Sequence, residues 1–150
     1  MDGGVIAITG AFGVLGSAVA RAAAQQGADL ALIDYAKAGA PVEDALSLPG
    51  VDLADAVQAA AAMAAVGERF GRIDALLNIA GGFVWEKIEG QDPSRWADLF
   101  KLNVVTAANA SRAAIPHLRK SAAGRIVNVG SAAALKAGLG MGAYAAAKAG

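Results

Sequence analysis

Short, almost uninterrupted apolar segments recur along this chain, and longer stretches with helical periodicity lie between them. Strands are predicted at VIAIT (5–9), DLALID (29–34), DALLNIAG (74–81) and GRIVNVGS (124–131), with a shorter one at 48–51. Strands without polar alternation are buried on both faces, as in a parallel sheet that helices cover on each side. This alternation predicts an α/β fold.

The helical stretches have recognisable ends. Helices are predicted over 13–27, 54–70, 94–121 and 141–150, with Gly27 and Gly71 as C-terminal signals and Ser94 as an N-cap. Pro116 is expected to bend the third helix or to mark its last turns. Because strand–helix–strand crossovers are right-handed, we predict a doubly wound parallel sheet. This is a Rossmann fold of three αβα layers, in one domain over residues 1–150.

Composition argues against several classes of function. The 13 basic and 13 acidic residues balance and are scattered, so neither nucleic acid nor an anionic membrane surface is an expected partner. The sequence has no cysteine, which excludes disulfides and thiolate metal sites, and we predict no metal site. We see neither a signal-peptide pattern nor an apolar run long enough for a membrane span, and we expect a cytoplasmic protein.

Three glycines, Gly10, Gly13 and Gly16, join the first strand to the first helix in TGAFGVLG (9–16). Glycines at this spacing allow a tight turn, a close approach of backbone to a pyrophosphate, and close packing of helix on strand. The helix N-terminus then attracts the phosphate charge. This context predicts a dinucleotide site, in which we include Phe12 of the same loop. The alternative is that these glycines only allow an ordinary turn between strand and helix.

Asp34 ends the second predicted strand. A carboxylate at this point can accept both ribose hydroxyls of an adenosine, and it would repel a 2′-phosphate. No arginine stands directly beside Asp34, although Arg21 lies in the preceding helix. We therefore predict NAD as the cofactor, with NADP less favoured. The alternative is a solvated acid at a strand end.

Tyr144 and Lys148 are four residues apart in YAAAK and share one face of the last predicted helix. A free phenol has a pKa of about 10, and a nearby ammonium favours its ionised form. A phenol with such a neighbour can exchange a proton with a carbinol or carbonyl oxygen. Ser131 ends the preceding strand, at the sheet edge where ligands of doubly wound folds bind.

Together these motifs resemble the short-chain dehydrogenases/reductases over essentially the whole chain. The matching segments are TGAFGVLG, LALID, VDLAD, DALLNIAG, LNV, IVNVGS and YAAAK. The resemblance implies that Tyr144 is the catalytic acid/base and that Lys148 binds the nicotinamide ribose and favours the phenolate. It also implies that Ser131 binds the substrate oxygen and that Asn103 holds a water leading protons toward the lysine.

The same resemblance assigns further residues of the cofactor site. It implies that Asn78, Ala80 and Gly81 line the adenosine and ribose and that Asp52 contacts the adenine amino group, while Asp74 supports its strand. Plain structural roles remain alternatives for the polar residues. Ser131 could cap a turn, Asn103 could be a polar helix residue whose hydrogen bonds are made within the protein, and Asn78 could form a hydrogen bond with buried backbone.

The function implied is an NAD(P)-dependent oxidoreductase that transfers a hydride between the nicotinamide and a small carbonyl or alcohol substrate. A homodimer or homotetramer is expected through the alanine-rich stretches 107–115 and 143–149. Since the family normally continues beyond the helix of Tyr144, we expect these residues to be the N-terminal part of a longer single-domain enzyme. Two alternatives are a non-catalytic dinucleotide-binding fragment and an NAD-dependent epimerase-like enzyme, which the Gly10, Gly13, Gly16 spacing also resembles.

Three other side chains are conspicuous in the sequence. His117 is expected to be a solvated histidine at a helix end. Trp85 lies in the polar stretch 82–93 and Trp96 follows it, and both are expected to pack in the core or at its rim, near the substrate entrance.

Overall fold

The computed structural model describes residues 3–37, 39–40 and 42–150. Its strands are β1 Val5–Thr9, β2 Asp29–Asp34, β3 Leu46–Pro49, β4 Ala75–Asn78 and β5 Arg125–Asn128. Its α-helices are α1 Val14–Ala24, α2 Ala56–Phe70, α3 Ser94–Phe100, α4 Thr106–Leu118 and α5 Gly142–Ala149. A π-helical turn, Lys101–Val105, joins α3 to α4, and a short 3-10 helix, Ala132–Ala134, precedes α5.

All strand pairs are parallel, and the sheet order is β3-β2-β1-β4-β5. The chain begins in the middle of the sheet, moves outward to β3, crosses back to β4 and reaches the opposite edge at β5. This confirms the predicted doubly wound fold. Because the path reverses between β1 and β4, a crevice opens at the carboxyl ends of these two strands.

The side chains of β1 alternate between two apolar layers, as the pleat of a strand requires. Ile6 and Ile8 belong to the layer under α1, whereas Val5 and Ala7 belong to the layer under α2 and α4. The helices meet the sheet mainly through alanines, Met63 and Val66, and small side chains allow close approach. The three layers predicted from the sequence are therefore confirmed.

The predicted helix over 94–121 is interrupted by the π-helical turn at Lys101–Val105. Its predicted N-cap was also wrong, because Ser94 is the first helical residue and its N–H donates to Asp92 Oδ1 at 2.9 Å. Pro116 lies in the last turn of α4, which ends at Leu118. The proline therefore marks the end of this helix, as expected.

Two predicted strands were too long at their carboxyl ends. The strand predicted at 74–81 ends at Asn78, and the strand predicted at 124–131 ends at Asn128. The residues that follow these two strands form loops at the carboxyl edge of the sheet. β5 lies at one side of the sheet, where Val127 is 48% exposed. None of the helices in the described ranges has the length and apolar character needed to cross a membrane.

Candidate active site

The loop between β1 and α1 touches the segment that follows β4. Gly10 has a φ of 64°, and a Cβ there would lie 2.7 Å from the backbone nitrogen of Ala80. Gly16 is buried, and a Cβ on it would collide with the carbonyl oxygen of Gly10. These two glycines are therefore required by the packing of the protein itself.

Gly13 differs from the other two glycines of this loop. It is exposed, and among the described residues a Cβ on it would approach only the Gly10 carbonyl oxygen, at an ordinary 3.5 Å. It is also the N-cap of α1, where none of the described side chains caps the helix. The N–H groups in the first turn of α1 can therefore donate hydrogen bonds to an anion such as a pyrophosphate. Because Gly13 has no side chain, the anion has room to approach them.

A cleft of about 670 Å³ opens in front of this loop, at the carboxyl ends of the central strands. It brings together the glycine loop, the ends of β2 and β3, the segment after β4, and the α3–α4 region. Its lining includes Gly10, Phe12, Gly13, Gly16, Asp34, Asp52, Ala80, Gly81, Asp98, Lys101 and Thr106. All of the predicted cofactor residues except Asn78, Tyr144 and Lys148 border this one cleft.

Asp34 connects the end of β2 to the glycine loop. Its Oδ2 accepts a hydrogen bond from the Phe12 N–H at 2.8 Å, and its Oδ1 accepts one from the Ala36 N–H at 2.9 Å. Each carboxylate oxygen has a second lone pair, so Asp34 can still accept two hydroxyl groups. Asp52 is held in a similar way, because its Oδ1 accepts from the Ala54 N–H at 2.9 Å.

Asn78 lies beneath the cleft rather than on its surface. Its side chain is buried, and Nδ2 donates to Ser111 Oγ at 3.0 Å and to Asn128 Oδ1 at 2.8 Å. Asn78 Oδ1 has no hydrogen-bond partner among the described residues. Its neighbours Ala80 and Gly81 do line the cleft, so Asn78 supports this segment from below.

Thr9, which sequence reasoning missed, holds the same segment. Its buried hydroxyl oxygen accepts hydrogen bonds from the N–H groups of Ile79 and Ala80, both at 3.1 Å. A threonine at the end of a buried strand gives no local signal of this role, because the contact depends on the pairing of β1 with β4.

Tyr144 and Lys148 lie one turn apart on α5, on the other side of the segment after β4. Tyr144 is half-buried, and its ring meets the ring of Phe83 edge to face, with centroids 4.9 Å apart. The Nζ of Lys148 donates to the Val129 carbonyl oxygen at 2.8 Å. A Cβ on Gly81 would lie 3.4 Å from that Nζ, so Lys148 reaches the segment after β4 that lines the cleft.

Asn103 lies in the π-helical turn and contacts the same segment. Its Nδ2 donates to the carbonyl oxygens of Leu99 and Gly82, both at 3.0 Å, and its Oδ1 accepts from the Gly82 N–H at 3.2 Å. The Oδ1 would also lie 2.7 Å from a Cβ on Gly81. Asn103, Lys148 and Gly81 thus meet at one point, and π-helical turns are frequent at functional sites.

Ser131 is the N-cap of the 3-10 helix Ala132–Ala134, which packs against α5. Its Oγ accepts a hydrogen bond from the Ala133 N–H at 3.2 Å, so it caps this turn. The hydroxyl can still donate its own proton. The predicted contact between Ser131 and a substrate oxygen stays a prediction.

Asp74 stabilises the start of β4. It accepts hydrogen bonds from the Val5 N–H at 2.7 Å and from Ser121 Oγ at 2.6 Å, and it forms an ion pair with Arg72. Burial acts to raise the pKa of Asp74, but hydrogen bonds from Ser121, Val5 and Arg72 together hold that pKa below its usual value. This network lies at the amino ends of the strands, away from the cleft.

His117 is not the solvated side chain that the sequence suggested. It is half-buried against Gly67 of α2, and its Nδ1 has no partner among the described residues. Burial, and to a lesser degree the charge of Lys120, lowers the pKa of His117. The prediction was wrong because α2 packs over the end of α4, a contact that helix position alone does not reveal.

The two tryptophans pack beside the start of α5, as rim residues. Trp85 covers Gly140, and the ring of Trp96 lies 3.7 Å from the position of a Cβ on Gly142. Both rings remain partly exposed. Their positions agree with the packing role expected from the sequence.

Known proteins resemble this chain in sequence and in fold. The family model described as short chain dehydrogenase matches residues 4–150. The D-beta-hydroxybutyrate dehydrogenase of Rhizobium meliloti is 35% identical, over 94% of this chain and 58% of its own length. The meso-2,3-butanediol dehydrogenase of Serratia marcescens is also 35% identical, over 98% of this chain and 61% of its own length. The chain thus spans about three-fifths of these relatives.

A solved structure has the same fold. The NADH-dependent reductase A1-R′ responsible for alginate metabolism, in a crystal structure complexed with NAD, superposes with a TM-score of 0.86. It is 30% identical, and the match covers 99% of this chain and 68% of that one. On the family match, the relatives and this fold, the chain belongs to the short chain dehydrogenase family.

Proposed function

We propose that the protein containing this chain is an NAD-dependent oxidoreductase acting on small secondary alcohols or the corresponding ketones. The observation that carries the proposal is the convergence of Asn103 and Lys148 on Gly81, which also lines the cleft beside the glycine loop. Tyr144 is one turn from Lys148 on the same helix. A cofactor site and a proton-transfer site are thus neighbours along one sheet edge.

The residues of the cleft suit NAD. The N-terminus of α1 and the open side of Gly13 would hold the pyrophosphate, Asp34 the adenosine ribose, and Asp52 the adenine. When bound, the nicotinamide supplies the hydride acceptor or donor. The Tyr144 hydroxyl would move the proton at the substrate oxygen, with Lys148 beside it and Ser131 as a further donor to that oxygen.

NAD is favoured over NADP by the charge around Asp34. Its carboxylate would repel a 2′-phosphate. Among the described residues that line the cleft, the basic one is Lys101, which belongs to the α3–α4 side, and Arg21 is not among them. A 2′-phosphate would therefore lie beside the Asp34 carboxylate. No described residue that lines the cleft on the β2 side would supply a positive charge to it.

The substrate class is suggested by the relatives. Two of them are named for D-beta-hydroxybutyrate and meso-2,3-butanediol, both of which are secondary alcohols. We propose small secondary alcohols of this kind for the present protein. Acetoacetate and acetoin, the ketones that correspond to these alcohols, are suitable first probes.

The test is NADH oxidation by the full-length gene product with acetoacetate or acetoin. Tyr144→Phe should lower kcat about 10²- to 10⁴-fold, because a positioned acid/base contributes this much, while the Kd for NADH stays close to that of the wild type. Lys148→Met should also lower kcat, whereas Lys136→Met, an exposed control, should not. Full turnover by Tyr144→Phe would remove Tyr144 from this role.

The same assay separates the two alternatives. A non-catalytic dinucleotide-binding fragment would bind NADH and turn over no carbonyl compound. An epimerase-like enzyme would retain NAD tightly and show no net consumption of added cofactor. The relatives named above are dehydrogenases, which favours the oxidoreductase over the epimerase.

We also propose that the protein assembles as a homodimer or homotetramer through α4 and α5. The exposed positions of these helices include Ala108, Ala146 and Ala149, whose small side chains would let helices of two subunits approach closely. Light scattering on the full-length gene product should give the mass of a dimer or tetramer, and Ala146→Glu should lower it. A monomeric wild type would contradict this proposal.

A further inference from the structure

The loop over residues 82–93, here called the aromatic loop, joins β4 to α3 and packs on the start of α5. Phe83 contacts Tyr144 with ring centroids 4.9 Å apart and an interplanar angle of 80°. Edge-to-face contact is a favoured arrangement of aromatic rings, and it restricts rotation of both. The half-buried Tyr144 ring thus has a directional contact from outside its own helix.

Trp85 and Glu86 fix the segment that leads into α5. Gly140 has a φ of 76°, and a Cβ there would lie 2.5 Å from Trp85 Cε2. The Glu86 N–H donates to the Gly140 carbonyl oxygen at 2.9 Å. Two consecutive residues of the aromatic loop therefore hold Gly140, four residues before Tyr144, with a ring over its backbone and a hydrogen bond to its carbonyl.

The aromatic loop is itself attached to α3. The carboxylate of Glu86 forms an ion pair with Arg95 at 3.2 Å. Leu99 of α3 packs with Ala143 and Ala147 of α5. The aromatic loop and α3 are therefore joined to each other, and both pack along α5, the helix that carries Tyr144.

The segment that leads into α5 is largely exposed. Leu139 is 73% exposed, and Met141, the N-cap of α5, makes no side-chain hydrogen bond to the first turn among the described residues. Trp96 of α3 also lies beside Gly142, and the contacts of Trp85 and Glu86 hold Gly140, just before the first turn of α5. A displacement of about 1 Å at a catalytic group can cost about 10²-fold in rate, so this support has a kinetic consequence.

Building on the function proposed above, we propose that Phe83 and Trp85 are positioning residues for proton transfer. Phe83 orients the phenol ring of Tyr144, and Trp85 fixes Gly140 and through it the first turn of α5. Neither residue exchanges a proton. They act on Tyr144, so their loss should reduce kcat and leave the affinity for NADH unchanged.

The first experiment compares Phe83→Leu and Trp85→Leu with the wild type in the full-length gene product. With acetoin and NADH, both variants should lose about tenfold or more in kcat, with the KM for NADH within about twofold of the wild type. Phe83→Tyr and Trp85→Phe should recover most of the rate, because an aromatic ring remains. Ile88→Ala, an exposed control in the same loop, should leave kcat unchanged.

A spectroscopic readout does not depend on the substrate. In protein labelled on the tyrosine rings, the NMR signal of Tyr144 is identified by its loss in Tyr144→Phe. This signal should shift in Phe83→Leu, which removes the ring current of Phe83. It should also shift in Trp85→Leu, which removes the contact that holds Gly140 at the start of α5. It should stay in place in Ile88→Ala.

Two glycines provide a matched pair for the contact of Trp85. Gly140 and Gly90 have φ values of 76° and 79°, so alanine meets similar backbone strain at each. A Cβ on Gly140 would displace Trp85, whereas none of the described residues lies within 4 Å of a Cβ on Gly90. Gly140→Ala should therefore reduce kcat and shift the Tyr144 signal, and Gly90→Ala should do neither.

The outcomes separate this inference from the function on which it rests. A wild type that binds NADH but reduces no carbonyl compound would contradict the oxidoreductase, and the NMR comparison would still test the positioning of Tyr144. If Phe83→Leu and Trp85→Leu keep the wild-type kcat, or if Trp85→Leu keeps the wild-type Tyr144 signal, the positioning role is overturned. Equal effects of Gly140→Ala and Gly90→Ala would overturn it as well.

Discussion

Asn103 and Gly82 are joined by two reciprocal hydrogen bonds. The Asn103 side chain donates to the Gly82 carbonyl oxygen at 3.0 Å, and the Gly82 N–H donates to Asn103 Oδ1 at 3.2 Å. The same side chain also donates to the Leu99 carbonyl oxygen at 3.0 Å. Asn103 thereby fixes the π-helical turn to the segment after β4, beside Lys148.

The first prediction concerns the substitution Asn103→Asp. It replaces a donor with a carboxylate oxygen that would face two carbonyl oxygens, at a residue only 9% exposed. The free energy of unfolding should fall by about 1–3 kcal/mol, the usual cost of unsatisfied buried polar groups. Urea denaturation followed by circular dichroism measures this loss, and kcat should fall with it because the turn borders Lys148.

Asn109→Asp is a matched control on α4. Asn109 Nδ2 donates to the carbonyl oxygens of Leu53 and Ala54, at 3.0 and 3.2 Å, and both of these residues line the cleft in front of the glycine loop, where we propose that NAD binds. This variant should therefore raise the KM for NADH and leave kcat near the wild-type value. Identical kinetic effects of the two variants would contradict the distinct roles assigned here.

A second prediction separates two glycines of the same loop. Gly10→Ala brings a Cβ against the Ala80 backbone at a φ of 64°, so it should lower the free energy of unfolding by about 1–3 kcal/mol. Gly13→Ser meets no such contact and supplies a favourable N-cap for α1, so stability should hold or rise.

The serine at position 13 should nevertheless weaken cofactor binding. Its side chain would occupy the open side of the loop and bond to the N–H groups that a pyrophosphate would use. The Kd for NADH, measured by fluorescence titration, should rise about tenfold or more, which corresponds to about 1.4 kcal/mol. Unchanged affinity in Gly13→Ser would indicate that the nucleotide does not approach this residue.

The third prediction tests the choice of cofactor at Asp34. Asp34→Asn removes the charge that would repel a 2′-phosphate, so the ratio of kcat/KM for NADH to that for NADPH should fall about tenfold or more. Asp29→Asn changes an exposed acid at the other end of β2 and should leave the ratio unchanged. A ratio that is equal in the wild type and in Asp34→Asn would contradict the role of Asp34.

Local patterns were sufficient to predict much of the fold and of the cleft. Buried strands, the glycine spacing and the strand-end position of Asp34 are visible in a few neighbouring residues, and the parallel sheet then brings the strand ends to one edge. The π-helical turn was missed because the helical periodicity continues through Lys101–Val105, and the bonds between Asn103 and Gly82 join residues that are 21 positions apart. Thr9 was missed for the same reason, since its partners follow β4.

The fourth prediction is a coupling between Gly67 and His117. Alanine normally favours a helix interior over glycine by about 1 kcal/mol, but a Cβ on Gly67 would collide with the His117 imidazole. Gly67→Ala should therefore destabilise the wild type and stabilise the His117→Ala variant by up to about 1 kcal/mol. A double-mutant cycle in urea measures the coupling, and additive effects of the two substitutions would contradict the contact.

The fifth prediction concerns the pH dependence of stability. Burial against Gly67, with a smaller contribution from Lys120, lowers the pKa of His117 from its ordinary value of 6.5. The unfolded chain therefore binds a proton before the folded one does. The stability that neutral His117 contributes is present above about pH 6.5 and is lost as the pH falls below that value toward the folded-state pKa.

His117→Gln removes this titration and keeps a polar side chain of similar size. Between about pH 7.5 and pH 5, the free energy of unfolding should fall more steeply in the wild type than in the variant. Asp74 and Asp55 have lowered pKa values, so they change the free energy of unfolding only at lower pH. Their stabilisation is lost as the carboxylates become protonated below about pH 4. Parallel curves for wild type and variant across this window would show that His117 is not held neutral by its contact with α2.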